Sequence, residues 1–178
     1  MRYPTIFHFI SAVSDKEGAA CVLVGGFAVN YYKVTRQTID VDFLITKEDF
    51  NKIADRLKKA GFELEYAQEL FTRFKGPAQY LMDIDFMFVD KETLDKIIRD
   101  GREILVARQK FIVPSLNTLI ALKLHAIKYN QKLREYKDLP DIINLVRVNG
   151  VDCKSKEFHE LCLKYGTEEL YNKILSGV

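Results

Sequence analysis

Two short stretches of this 178-residue chain carry residue types that could do chemistry together: Val24-Gly25-Gly26-Phe27 and, with thirteen residues between the second glycine and the first acid, Asp40-Val41-Asp42-Phe43. Two Asp at i and i+2 on one strand point to the same face, about 6.6 Å apart at the backbone, so their side chains can converge on a shared cation. Two carboxylates with no imidazole suit a hard, oxygen-liganded metal such as Mg²⁺. The glycine pair ends an apolar run, and backbone amides free of side chains at a helix start can hold phosphate oxygens. A metal beside a phosphate cradle is the equipment of phosphoryl or nucleotidyl transfer. Each motif also has a plain reading when taken alone. Gly-Gly makes a tight strand-to-helix turn, and an Asp pair can be a solvated strand face.

A third stretch shifts that balance. From Leu81 to Val89 the residues alternate, with Met82, Ile84, Phe86 and Phe88 on one face and Leu81, Asp83, Asp85 and Met87 on the other. Asp is depleted in strands and costly among apolar neighbours, so a second Asp-x-Asp is hard to assign to solubility. If the two Asp-bearing strands are neighbours, their carboxylates face one another and repel unless a cation sits between them.

The elements that must position these residues follow from periodicity. Ile6, Phe9, Ile10 and Val13 predict a helix from Pro4 to Gly18, and Cys21-Val22-Leu23-Val24 predicts a buried strand stopped by the glycines. A short helix follows over Phe27–Lys33, and strict alternation over Thr38–Ile45 predicts a strand with Ile39, Val41, Phe43 and Ile45 on one face. Thr46 and Asp49 resemble a capping box ahead of a helix that Gly61 closes. Phe62–Tyr66, Phe71–Lys75 and Tyr80–Val89 are β-prone, Asp90 caps a helix ending at Gly101, and Glu103–Val113 holds one or two strands. Beyond Ser115 the pattern is helical: Leu116–Tyr129, Pro140–Val148, Ser155–Tyr165 and Thr167–Leu175. Residues 134–138 lie ahead of Pro140 and read equally as a polar loop, with Asp138 as a cap. The expectation is an α+β fold, a mixed β-sheet flanked by helices, with a catalytic core over residues 1–113 and a small helical subdomain over 114–178.

Composition bounds the partners. Hydrophobic residues make up 48% and charged residues 29%, and 27 Lys and Arg against 25 Asp and Glu leave a net charge of +2. No overall field argues for nucleic acid or an anionic membrane as an obligatory partner. Cys21, Cys153 and Cys162 show no Cys-x-x-Cys spacing, and His8, His125 and His159 are dispersed, so no zinc cluster is read and the thiols are expected reduced. The start Met1-Arg2-Tyr3-Pro4 lacks leader architecture, and the charge-free run from Ala19 to Tyr32 is too short to span a bilayer. A cytoplasmic protein that engages no membrane is the resulting expectation. Apolar residues in the last helices, among them Phe158, Leu161, Cys162, Leu170, Tyr171 and Ile174, leave room for a homodimer face.

The combined pattern of Gly25-Gly26, Asp40-x-Asp42 and a later strand acid resembles the nucleotidyltransferase superfamily typified by DNA polymerase beta. The nearer likeness is to small prokaryotic members, the minimal nucleotidyltransferases and the toxin-type nucleotidyltransferases of abortive-infection systems. Arg36-Gln37-Thr38-Ile39-Asp40-Val41-Asp42 is similar to their Arg-x-Thr-x-Asp-hydrophobic-Asp signature. Lys123-x-x-Ala126 and Arg134-x-x-Lys137-Asp138-x-x-Asp141 are similar to their helical motifs. The resemblance implies that Asp40 and Asp42 hold two Mg²⁺ ions, or Mn²⁺ in their place, and share one with a third acid. Asp85 matches that acid best, with Asp83 as the alternate. It implies that Gly25, Gly26 and the Phe27 amide contact a triphosphate, with Thr38 in the same signature, and that Arg36 and Lys123, with Lys137 or Arg134 in reserve, neutralise phosphates.

The function expected is Mg²⁺-dependent transfer of a nucleoside monophosphate from a nucleoside triphosphate to a hydroxyl of RNA or tRNA, a protein or a small molecule, with pyrophosphate leaving. A toxin-type enzyme would travel with an antitoxin partner. The alternative is a catalytically idle fold of this class serving as a binding or regulatory module. No Gly-x-Ser-x-Gly elbow and no Gly-x-x-x-x-Gly-Lys-Ser/Thr loop is present, which disfavours acyl transfer and Walker-type ATPases.

Overall fold

Side-chain oxygens set just ahead of apolar repeats start most of the helices in the computed structural model, which describes residues 3–78 and 80–178. Met1 and Arg2, which open the segment read as lacking a leader, lie outside the described residues. Thr5 accepts the His8 N–H to start α1 (Ile6–Glu17), and Gly18 ends it in the left-handed region at φ +62°. β1 (Cys21–Leu23) leads into α2 (Gly25–Tyr31), which opens on Gly25 rather than at Phe27. The φ of +58° at Gly25 turns the chain within one residue. β2 (Asp40–Ile45) starts two residues later than the alternation predicts: the Thr38 hydroxyl turns onto Asp40, and Ile39, expected on the apolar face, is 85% exposed.

Thr46 caps α3 (Lys47–Lys59) by accepting the Asp49 N–H at 3.0 Å, an interaction worth ~1 kcal/mol. The other half of the expected capping box is replaced. The Asp49 carboxylate instead accepts the Ala20 N–H at 3.2 Å and Lys52 Nζ at 2.6 Å. Three strands follow, β3 (Glu63–Ala67), β4 (Phe71–Lys75) and β5 (Asp83–Phe88). Asp90 then caps α4 (Lys91–Asp100). The last two strands, β6 (Arg102–Val106) and β7 (Gln109–Val113), form a hairpin whose turn residues Ala107 and Arg108 both have positive φ.

The chain divides into two units, Met1–Phe27 with Gln37–Ser115 and Ala28–Arg36 with Leu116–Val178. In the first, one seven-stranded sheet runs in the order β3-β4-β5-β2-β1-β7-β6. β2 pairs β5 and β1 pairs β7 in parallel, while the other pairings are antiparallel, so the sheet is mixed. Helix α1 packs against α3 and β7, and α4 against β1. Phe43, Phe74, Phe86, Ile53 and Leu57 are fully buried there, and each contributes ~2–3 kcal/mol of hydrophobic transfer as an upper figure.

The second unit holds α5 (Leu116–Tyr129), α6 (Gln131–Val148), α7 (Lys156–Tyr165) and α8 (Glu168–Gly177). Residues 28–36, which chain order alone assigns to the core, group with these helices. Helix α6 corrects the expectation of a loop before Pro140, because it runs unbroken from Gln131 with the proline inside it. The backbone oxygen that loses its N–H partner belongs to Tyr136, a residue 76% exposed, so water can take the place of that bond. Of the apolar residues that left room for a dimer face, Phe158, Cys162, Leu170 and Ile174 are buried within the unit. Among the described residues, no helix is long and apolar enough to cross a membrane.

Candidate active site

The parallel pairing of β2 with β5 is in register, so Asp40 stands opposite Asp83 and Asp42 opposite Asp85. Beneath them the Phe43 and Phe86 rings stack at 6.0 Å, one buried rung further along the same strands. Four carboxylates thus share one face of adjacent strands. The cation that such a face requires is a guanidinium. β4 lies antiparallel on the other side of β5 and sets Arg73 directly opposite Asp85. Arg73 Nε donates to Asp85 Oδ1 at 2.7 Å, and Nη2 donates to Asp85 Oδ2 at 3.0 Å and to Asp40 Oδ2 at 3.0 Å. Hydrogen bonding to Asp85 raises the Arg73 pKa above its ordinary value against the opposing effect of partial burial, with the charges of Asp85, Asp40 and Glu65 adding to the rise.

The two candidates for the third acid part company here. Asp85 is buried and linked through Arg73 to Asp40, whereas Asp83 accepts the Gly76 N–H at 2.9 Å and so ties down the turn between β4 and β5. The glycines are fitted to the acids. A Cβ on Gly25 would fall 1.8 Å from Asp42 Oδ2, and one on Gly26 would fall 2.7 Å from Thr38 Cβ. Only glycine lets the Asp42 carboxylate and Thr38 approach the start of α2 so closely. The Val24 N–H donates to the Asp42 carbonyl at 2.9 Å, and Thr38 Oγ1 lies 3.0 Å from both the carbonyl and Oδ1 of Asp40. Phe27, next in the chain, packs its ring edge-on against Phe7.

The expected cations of the helical segment gather separately in the second unit. Lys123 is buried, with Nζ 2.7 Å from Asp138 Oδ1 and 2.7 Å from Asp141 Oδ2. Arg36 Nη1 donates to the same Asp141 oxygen at 2.8 Å, and Arg134 Nε lies 2.9 Å from Asp138 Oδ2 as an ion pair without hydrogen-bond alignment. The Asn30 side chain clamps the Arg36 backbone, donating to its carbonyl at 2.9 Å and accepting its N–H at 2.8 Å. Lys137 is exposed on α6.

Among the described residues, no group of three or more acid, His or Cys side chains is gathered closely enough to hold a metal ion. The donor chemistry of Asp40, Asp42 and Asp85 nonetheless fits a hard divalent cation, and a positive group already bridges two of the three. Burial pushes the Cys21 and Cys162 thiols up to about 12, so neither is a thiolate nucleophile.

Arg73 is the residue that motif reading passes over. Alternation along β4 sets it on the face opposite buried Thr72 and Phe74, but nothing within its own strand says that Asp85 is its neighbour.

A mixed sheet with paired Asp-x-Asp strands beside a Gly-Gly turn defines the nucleotidyltransferase fold of the polymerase beta type, and solved structures share it. The chain is similar to the antibiotic-resistance factor ANT(2'')-Ia, at a TM-score of 0.65 and 14% identity over 90% of this chain and 89% of that one. It is also similar to the lincosamide antibiotic adenylyltransferase LnuA, solved with lincomycin bound, at a TM-score of 0.55 and 14% identity over 79% and 94%. A nucleotidyltransferase-like protein from Paracoccidioides brasiliensis matches at a TM-score of 0.56 and 16% identity over 93% and 88%. No protein with a curated description matches. A family model described as the nucleotidyl transferase AbiEii toxin of type IV toxin–antitoxin systems matches residues 8–175. The chain belongs to that family and is a nucleotidyltransferase.

Proposed function

We propose that the protein moves a nucleoside monophosphate from a nucleoside triphosphate to a hydroxyl acceptor, with Asp40, Asp42 and Asp85 as its acids. The observation that carries this reading is the in-register pairing that sets Asp42 opposite Asp85 while Gly25 admits the Asp42 carboxylate to the start of α2. The acceptor oxygen attacks the α-phosphorus, the bond from that phosphorus to the bridging oxygen breaks, and pyrophosphate departs with the electron pair. The acceptor hydroxyl loses its proton to solvent as its oxygen bonds to phosphorus. The three acids would hold Mg²⁺, or Mn²⁺ in its place, which when bound supplies activation of the attacking hydroxyl and neutralisation of the leaving group.

Gly25, Gly26 and the Phe27 amide form the triphosphate contact, and Thr38 orients Asp40 through its hydroxyl. Arg36 would neutralise phosphates, a role supported by its being held in place by Asn30 and Asp141. Lys123 serves as the counter-charge of Asp138 and Asp141, and Lys137 stands in reserve at the surface. The acceptor classes are RNA or tRNA, protein and small hydroxyl compounds. The type IV description of the family implies an antitoxin counterpart.

The test is incubation with each α-labelled nucleoside triphosphate, Mg²⁺ and a cell lysate, followed by identification of what carries the label. Label should appear on an acceptor class and should fall by about 10²-fold or more in Asp42→Asn, a change that removes one charge without altering shape. Full transfer by folded Asp42→Asn would refute the assignment. Pyrophosphate release without label transfer would refute the proposed acceptor chemistry.

A further inference from the structure

We infer that Arg73 is a built-in counter-ion of the carboxylate cluster, and that it must let go of Asp40 before a divalent cation can bind there. This rests on the reading of Asp40, Asp42 and Asp85 as metal-holding acids. The fork of the guanidinium holds Asp85 through two nitrogens at 2.7 and 3.0 Å and reaches Asp40 with a single contact at 3.0 Å. The oxygens engaged are those that a hard cation would use. Held this way, two like charges in the same part of the sheet remain together with no metal present, which explains how a cluster of acids tolerates its own repulsion. The same grip lowers the affinity of the site for a second cation.

Arginine stays protonated at any pH a cell reaches, so it cannot vacate the site by titration and leaves only by moving. The way out is available, since the Arg73 side chain is 34% exposed while that of Asp85 is 9% exposed. The unequal grip sets the order of events. The single contact to Asp40 breaks before the forked pair with buried Asp85 does. Asp40 and Asp42 lie on the same strand face, so release of Asp40 withdraws the guanidinium from that face without disturbing the strand that carries Asp85. Arg73 therefore tunes the metal affinity of the resting enzyme and is a positioning residue for the acids.

The experiment is Mn²⁺ binding to the 178-residue chain, read from the spectroscopic signal of free Mn²⁺, for the parent, Arg73→Gln and Arg73→Lys. Arg73→Gln should bind Mn²⁺ about tenfold more tightly than the parent, because a competing and repelling charge has gone. Its unfolding temperature without metal should drop and recover as Mn²⁺ is added, a readout independent of catalysis. If Arg73→Gln does not fold, Arg73→Lys decides. A lysine keeps the charge but cannot fork across both carboxylates, so tighter binding than the parent supports the inference and equal or weaker binding overturns it. Binding by the parent with no gain in folded Arg73→Gln overturns the counter-ion role alone. Absence of Mn²⁺ binding in every folded chain overturns the metal reading of the acids and this inference with it.

Discussion

At the residue scale, the site depends on close approaches that one methyl group would abolish. Gly25 combines φ +58° with a Cβ position 1.8 Å from Asp42 Oδ2, so Gly25→Ala must both strain the backbone and expel the carboxylate. The expected cost is ~2–3 kcal/mol in chemical denaturation, together with loss of nucleotide transfer. Gly18 has a similar φ of +62° but nothing within 4 Å, so alanine there should keep transfer activity and serve as the control for backbone strain alone. Asp49 permits a separate test. Burial alone would raise its pKa, yet hydrogen bonds from Lys52 and the Ala20 N–H, and the charges of Lys52 and Lys91, bring it below its ordinary 3.8. A carboxylate with a lowered folded pKa contributes stability that is present above 3.8 and lost as pH falls through the folded value. Acid titration of the unfolding midpoint should therefore be steeper below that pH in the parent than in Asp49→Asn.

At the element scale, much of the fold is legible in periodicity and caps. Thr5, Thr46, Asp90, Ser155 and Thr167 each sit one residue ahead of a helix and accept an N–H from its first turn. Alternation likewise marks β2 and β5, including which face carries the acids. The β6–β7 hairpin departs from such local consistency. Its two-residue turn places Ala107 at φ +49° and Arg108 at φ +62°, a conformation that favours Asn-Gly. Replacing Arg108 with Gly should stabilise the protein by about 1 kcal/mol in thermal or denaturant unfolding, since the left-handed penalty disappears and the backbone carbonyl that accepts Gln109 Nε2 is kept. Helix α6 departs in the other direction, because Pro140 reads locally as a helix start. Burial of Asp138 and Asp141 against Lys123 on α5 holds the segments before and after the proline to the same neighbouring helix.

At the scale of the whole molecule, a net charge of +2 conceals two opposite arrangements. The first unit sets Arg73 between Asp40 and Asp85, with Asp42 and Asp83 on the same strand face, while the second gathers Arg36, Lys123 and Arg134 around Asp138 and Asp141. Each is a cluster in which removing one partner leaves a poorly compensated charge. Lys123→Met should cost about 3–5 kcal/mol, because Asp138 is 1% exposed and Asp141 only slightly more so. Hydrogen exchange should show the loss first in α5 and α6, with β2 and β5 remaining protected. Equal loss of protection in the sheet would show that the cluster stabilises more than its own unit.

The sequence by itself indicated most of the strands and helices and most of their apolar faces, and it singled out Asp40, Asp42 and an acid of Asp83-x-Asp85 as candidates for the chemistry. These are local properties, set by alternation, by helical repeat and by capping oxygens within a few residues of the helices they start. Only the tertiary structure decided that Arg73 bridges Asp40 and Asp85, that Asp83 secures a turn, and that Lys123 is spent on two buried carboxylates. Periodicity reports the face a side chain occupies on its own element, whereas its neighbour depends on the order of strands and the pairing of helices far apart in the chain. Arg73 and Asp85 are twelve residues apart, and Lys123 and Asp141 eighteen. Their meeting is a consequence of sheet order and helix packing, which no window of sequence around either residue contains.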